Sequence, residues 1–73
     1  MFIIKKTTRT GTVNTGIECE TIEQAHIHCS EGVEGKAPCD DSDDSIPWFR
    51  LEVYEVLANG DLDLVCATGF YSE

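Results

Sequence analysis

The stretch from Trp48 to Tyr71 constrains this chain most: WFRLEVYEVL, then Ala58-Asn59-Gly60-Asp61, then LDLVCATGFY. Two runs rich in β-branched and aromatic residues flank an Asn-Gly pair. That pattern predicts a β-hairpin with a two-residue type I′ turn, because both central residues of such a turn need positive φ. With Ala58 opposite Asp61, Phe49, Leu51, Val53 and Leu57 share a face with Leu62, Leu64, Cys66 and Phe70. The other face carries Trp48, Arg50, Glu52, Tyr54 and Val56 against Asp63, Val65, Ala67 and Tyr71. The first face is expected to be core. The second is apolar and aromatic with charges among it, and a chain of 73 residues has little left to cover it.

Upstream, Phe2-Ile3-Ile4 followed by threonines favours a strand. From there to Cys19 two readings stay open: a first hairpin, or one long strand bent near Gly11. Thr21 opens a helix. It stands three residues before Gln24, the spacing of a capping box, and Glu23 complements the positive end of the helix dipole. Ile22, Ala25, His26 and Cys29 fall at the spacing of one buried stripe, with His26 at its border. Gly32 is placed to end the helix as a left-handed cap. About ten helical residues are unstable alone, so this helix must pack on the sheet. The expected fold is α+β: a small antiparallel sheet of three or four strands, one helix on one face, and a C-terminal β-hairpin. Residues 1–73 form a single domain, interrupted by a long acidic loop at 31–47.

Size and charge narrow the function. A chain this short buries only about 60% of its unfolded surface, which leaves little room for a catalytic pocket with its supporting residues. No catalytic activity is expected. The net charge is −9, yet Lys5, Lys6 and Arg9 lie in the first nine residues, so residues 10–73 carry −12. Direct nucleic-acid binding needs clustered Lys and Arg, and anionic membranes need the same. Both are disfavoured, and a basic protein partner is favoured. No apolar run approaches the length of a membrane span. Met1 to Lys6 lacks the basic start and apolar stretch of a secretory signal, so a host-cell cytosol with reduced thiols is the expected compartment.

The acidic run Asp40-Asp41-Ser42-Asp43-Asp44 can stand in for nucleic-acid phosphates, with Glu18, Glu20, Glu31, Glu34, Glu52, Glu55, Asp61 and Asp63 extending the array; alone, it also suits a solvated loop. A calcium loop does not fit. Asp41, Asp43, Ser45 and Glu52 match ligand positions, but Ile46 stands where glycine is required. Cys19, His26, His28, Cys29 and Cys39 raise the alternative of a zinc-stabilised module, yet no CxxC or HxxxH pair supplies the usual close spacing. No metal or other cofactor is expected. A Cys29–His26 nucleophile has nothing nearby to orient the imidazole. Trp48, Tyr54 and Tyr71 are the aromatic contact candidates, since aromatics bury much area with few rotamers to freeze.

The run Ile17-Glu18-Cys19-Glu20-Thr21-Ile22-Glu23-Gln24-Ala25 leads a strand into a Thr-capped helix with Ala on its inner face. With a closing hairpin, it resembles small strand–helix–strand proteins that phages make against host machinery, such as type I anti-CRISPR proteins and the short phage inhibitor of host RNA polymerase. The resemblance covers residues 2–30 and 48–71; the acidic loop has no counterpart in it. It implies a non-catalytic inhibitor that occupies a basic, nucleic-acid-binding surface of a host complex. The expected contact residues, read from charge and exposure, are Asp40, Asp41, Asp43, Asp44, Trp48, Glu52 and Tyr54. Whether the loop or the aromatic face makes the contact stays open. A homodimeric accessory protein, paired through the outer hairpin face, is the other alternative.

Overall fold

The computed structural model describes residues 1–42 and 45–73. The order is β1 (Phe2–Thr8), β2 (Gly11–Cys19), α1 (Ile22–Val33), β3 (Trp48–Val56), β4 (Leu62–Ala67) and β5 (Tyr71–Ser72). All pairings are antiparallel, in the spatial order β2-β1-β3-β4, with β5 also on β3. The α+β architecture is therefore as the periodicities indicate. Of the two readings for residues 2–20, the hairpin is correct: β1 and β2 meet through a turn that closes at Thr8 and Gly11. Thr15 and Gly16 are extra residues in β2 between the Ile4–Ile17 and Lys5–Asn14 pairs. Gly16 takes φ +84°, and the Thr15 hydroxyl donates to the Ile4 carbonyl at 2.6 Å.

The helix begins where the capping box places it. Thr21 Oγ1 accepts from the Gln24 backbone N–H at 3.2 Å, and Gln24 Oε1 accepts from the Thr21 backbone N–H at 3.4 Å. Its end differs from expectation. Gly32 lies inside the helix, the Glu34 backbone N–H closes on Glu31, and the positive φ comes later, at Gly35. The reason for glycine at 32 is proximity: a Cβ there would stand 2.6 Å from Leu51 Cδ1. Ala25 and Cys29 are buried against Ile4, Cys19, Phe49, Leu51 and Val53. His26 is exposed, not at the core border, as is His28.

The second hairpin forms with a different turn. Leu57 accepts from Gly60 N–H and donates to Asp61 O, both at 2.9 Å, and Gly60 alone of the turn has positive φ, +87°. This is a three-residue connection, a type I turn followed by a left-handed glycine. It shifts the register by one, so that Val56 pairs Leu62, Glu55 pairs Asp63 and Tyr54 pairs Leu64. A bulge at Val65 then restores the expected phase, Val53 with Cys66 and Glu52 with Ala67. A one-residue slip moves side chains to the other face. Leu62 and Leu64 accordingly lie with Tyr54 and Val56, not with the core, and are 40% and 50% exposed. Phe70 and Tyr71 also exchange faces: Phe70 packs edge-on against Trp48 at 4.9 Å, while Tyr71 packs on Phe49 at 6.3 Å.

Gly60→Ala should cost about 1 kcal/mol, since nothing lies within 4 Å of the added carbon but L-residues disfavour the left-handed region. A urea midpoint unchanged by this substitution would contradict the turn.

Part of the acidic connection is anchored. Cys39 N–H donates to Phe70 O at 3.0 Å and Ser72 N–H to Ala37 O at 2.9 Å, tying residues 37–39 to β5.

Candidate functional site

Alternation places Ile4, Lys6, Phe49, Leu51 and Val53 under the helix, and Ile3, Lys5, Thr7, Arg50, Glu52 and Tyr54 on the face without one. At the centre of this open face sits Glu52, only 4% exposed. Its carboxylate accepts from the Thr7 hydroxyl at 2.8 Å, the Tyr54 hydroxyl at 2.9 Å, Arg50 Nε at 2.8 Å and Arg50 Nη2. Lys5 Nζ stands 5.2 Å from the Tyr54 ring centroid. Burial alone would raise the Glu52 pKa, but these hydrogen bonds and the Arg50 charge outweigh it and hold the pKa below the usual carboxylate range. The same contact works in reverse on Tyr54, whose phenol is pushed up by burial and by the Glu52 carboxylate.

The expected contact residues fare differently. Glu52 is engaged internally and offers little of its carboxylate to a partner. Tyr54 is half-buried on the open face and donates to it. Trp48 is half-buried against Phe70, and its buried Nε1 has no hydrogen-bond partner among the described residues. Asp40 and Asp41 are exposed. Asp40 Oδ1 accepts from Ser42 N at 2.9 Å and Ser42 Oγ at 2.8 Å, bonds that lower its pKa. Asp43 and Asp44 lie outside the described residues.

The sheet brings together acids that sequence distance kept apart. Glu55 and Asp63 are direct neighbours across β3 and β4, beside Phe2 of β1. In the next row, Glu18 pairs with Ile3. Asp61 closes the β3–β4 turn, and Glu20 and Glu23 begin the helix at this same end. Among the described residues no Lys or Arg occupies the rows of these six acids, and Lys5 of the adjoining row extends its ammonium to the Tyr54 ring. Lys5, Lys6, Arg9 and Arg50 occupy the Lys5 row or the rows toward the β1–β2 turn, and Lys36 follows the far end of the helix. The acidic end also exposes Leu57, Leu62, Leu64 and Val65, 39–50% each. Five of the six, Glu18, Glu20, Glu55, Asp61 and Asp63, are among the acids that extend the 40–44 array by sequence; which of them share an end depends on strand register.

Among the described residues no three His, Cys, Asp or Glu side chains converge as metal ligands. Cys29 is buried, and burial first, then the neighbouring Cys66 and Cys19, raise its pKa, which weakens it as a nucleophile. Among the described residues no helix is long and apolar enough to cross a membrane. The chain matches no protein-family model, and no curated protein or solved structure matches it.

Proposed function

We propose that the chain is a non-catalytic acidic binding protein, of the kind phages direct against host machinery, that occupies a basic nucleic-acid-binding surface of a host protein. The observation that carries this reading is the segregation of charge along the sheet: six acids without Lys or Arg at one end, which also exposes Leu57, Leu62, Leu64 and Val65, with Glu55 and Asp63 on the helix face and Leu62 and Leu64 on the open one. Carboxylates at the same end as exposed apolar side chains suit a partner surface where Lys and Arg lie beside an apolar or aromatic platform. Carboxylates there take the place of phosphates.

The test is capture of partner from host lysate by the tagged protein, then rate measurements with the purified partner. Binding should weaken steeply as salt rises, because exposed charges are screened beyond about 8 Å at physiological ionic strength. Asp61→Asn with Asp63→Asn should slow association more than it speeds dissociation, since distributed charge governs encounter. Nucleic acid should compete. Binding that is flat with salt, or unaffected by competitor, would remove the mimic reading.

The exposed leucines also favour a second reading, a homodimer through β4. A net charge of −9 on each copy opposes it. Sedimentation at low and high salt separates the two, since a dimer held by leucines would strengthen as repulsion is screened.

A further inference from the structure

Between the C-terminal half of α1 and the strands β1 and β2 lies an open groove of 280 Å³, at the end of the molecule away from the acidic surface. Its floor is apolar: Ile4, Ile17, Phe49 and Leu51. Ile17 is half-buried there, while Ile4, Phe49 and Leu51 are buried beneath it. Gly32 brings the helix backbone close to Leu51 yet contributes no side chain, and His28 is exposed at the margin.

The rim is basic in an otherwise acidic chain. Lys6 and Lys36, two of the five Lys and Arg residues, line it together with His28. Lys6 Nζ stands 4.9 Å from the Phe49 ring centroid and 3.0 Å from Glu73 Oε1. Lys36 has no ion-pair partner among the described residues. A carboxylate from the chain itself therefore already sits beside an apolar floor and a lysine, with the second lysine unengaged. Glu73 is delivered there by its backbone N–H, which donates to Pro47 O at 3.0 Å.

We propose that this groove binds a small amphiphilic carboxylate, its apolar body against Ile17 and over the buried Ile4, Phe49 and Leu51, and its carboxylate between Lys6 and Lys36, in the place Glu73 partly takes. The volume lies just under the threshold of about 300 Å³ at which small-molecule pockets begin, which limits the ligand to a small acid that a few placed polar groups orient. Selectivity for the acid over the matching alcohol follows from the two ammonium groups. Exposure of the rim limits each charge contact to a modest contribution. The site stands independently of the acidic end, so its failure would leave that reading intact.

The experiment is a titration of the isotope-labelled full chain with octanoate and, separately, octanol at physiological salt, followed by NMR shifts. Octanoate should give saturable shifts at Ile4, Ile17, His28, Lys36 and Phe49, and octanol should bind about tenfold more weakly. Lys36→Gln should weaken octanoate about fivefold, as expected for one exposed charge contact, and leave octanol unchanged. Glu73→Gln should tighten octanoate about threefold by removing the competing carboxylate. Both positions are exposed, so both variants should fold. Octanol binding as tightly as octanoate, no saturable shift up to the solubility limit, or shifts confined to β4 would overturn the proposal.

Discussion

Ile4→Ala should destabilise the protein by about 3 kcal/mol, within the range of about 2–5 kcal/mol for truncating a buried aliphatic side chain. Ile4 is 1% exposed in the central strand β1, between Ile17 of β2 and Val53 of β3 and beneath α1. Its removal strips contacts from three strands and the helix together, and a twelve-residue helix has little means of sinking into the space. The size of the domain makes the loss severe. At about 0.05–0.15 kcal/mol per residue, a chain of this length has roughly 4–11 kcal/mol of stability in total. Ile27→Ala is the control, because Ile27 is 57% exposed on the helix and its truncation should stay within about ±0.5 kcal/mol. Urea unfolding followed by fluorescence of Trp48, the only tryptophan, measures both. Equal midpoints for the two variants would mean the core does not centre on Ile4.

What was legible from the sequence was local. The Thr21–Gln24 capping box depends on residues three apart, and it formed as expected. So did the pairing of Val53 with Cys66, which hydrophobic alternation supports from both sides. The turn between them was ambiguous for a physical reason: Asn-Gly suits a two-residue turn and equally a three-residue turn whose last residue is left-handed. Closure between Leu57 and Asp61 decides it, and the Val65 bulge that cancels the slip has no composition of its own. Leu62 and Leu64 consequently looked like core and are surface. Gly32 was ambiguous likewise, since glycine serves both a helix end and a close approach, and only the position of Leu51 distinguishes them. The acids of the array are legible in sequence, but not which of them share an end of the sheet. Glu55 and Asp63 become neighbours, and Glu18 comes to the same end of the sheet, only through the registers of β1 with β2 and β3, and of β3 with β4. Glu52 misled most, because a charged residue in a strand is expected on the surface and this one is buried by its partners.

Glu52→Ala should cost about 3 kcal/mol at neutral pH, the lower end of the range for breaking a buried ion pair, because Arg50 remains partly exposed and can be rehydrated. Thr7 and Tyr54 also lose their shared acceptor. Glu52→Gln keeps the shape and one acceptor but removes the charge, and should cost about half as much. The pH dependence is the sharper signature. Glu52 has a folded pKa below its unfolded value of about 4.3, so its contribution is fully present above that value and is lost as pH falls through the folded pKa. Tyr54 sets the opposite flank. Its folded pKa is raised, so its contribution is present below the unfolded value of about 10 and is lost as pH rises through the folded pKa. Wild type minus Glu52→Gln, compared by urea unfolding at pH 7, 5 and 3, cancels carboxylates such as Asp40 that are common to both. The difference should be steady from pH 7 to 5 and shrink toward pH 3. A difference that stays constant down to pH 3 would show that Glu52 stabilises the open face by packing alone, with its charge contributing nothing.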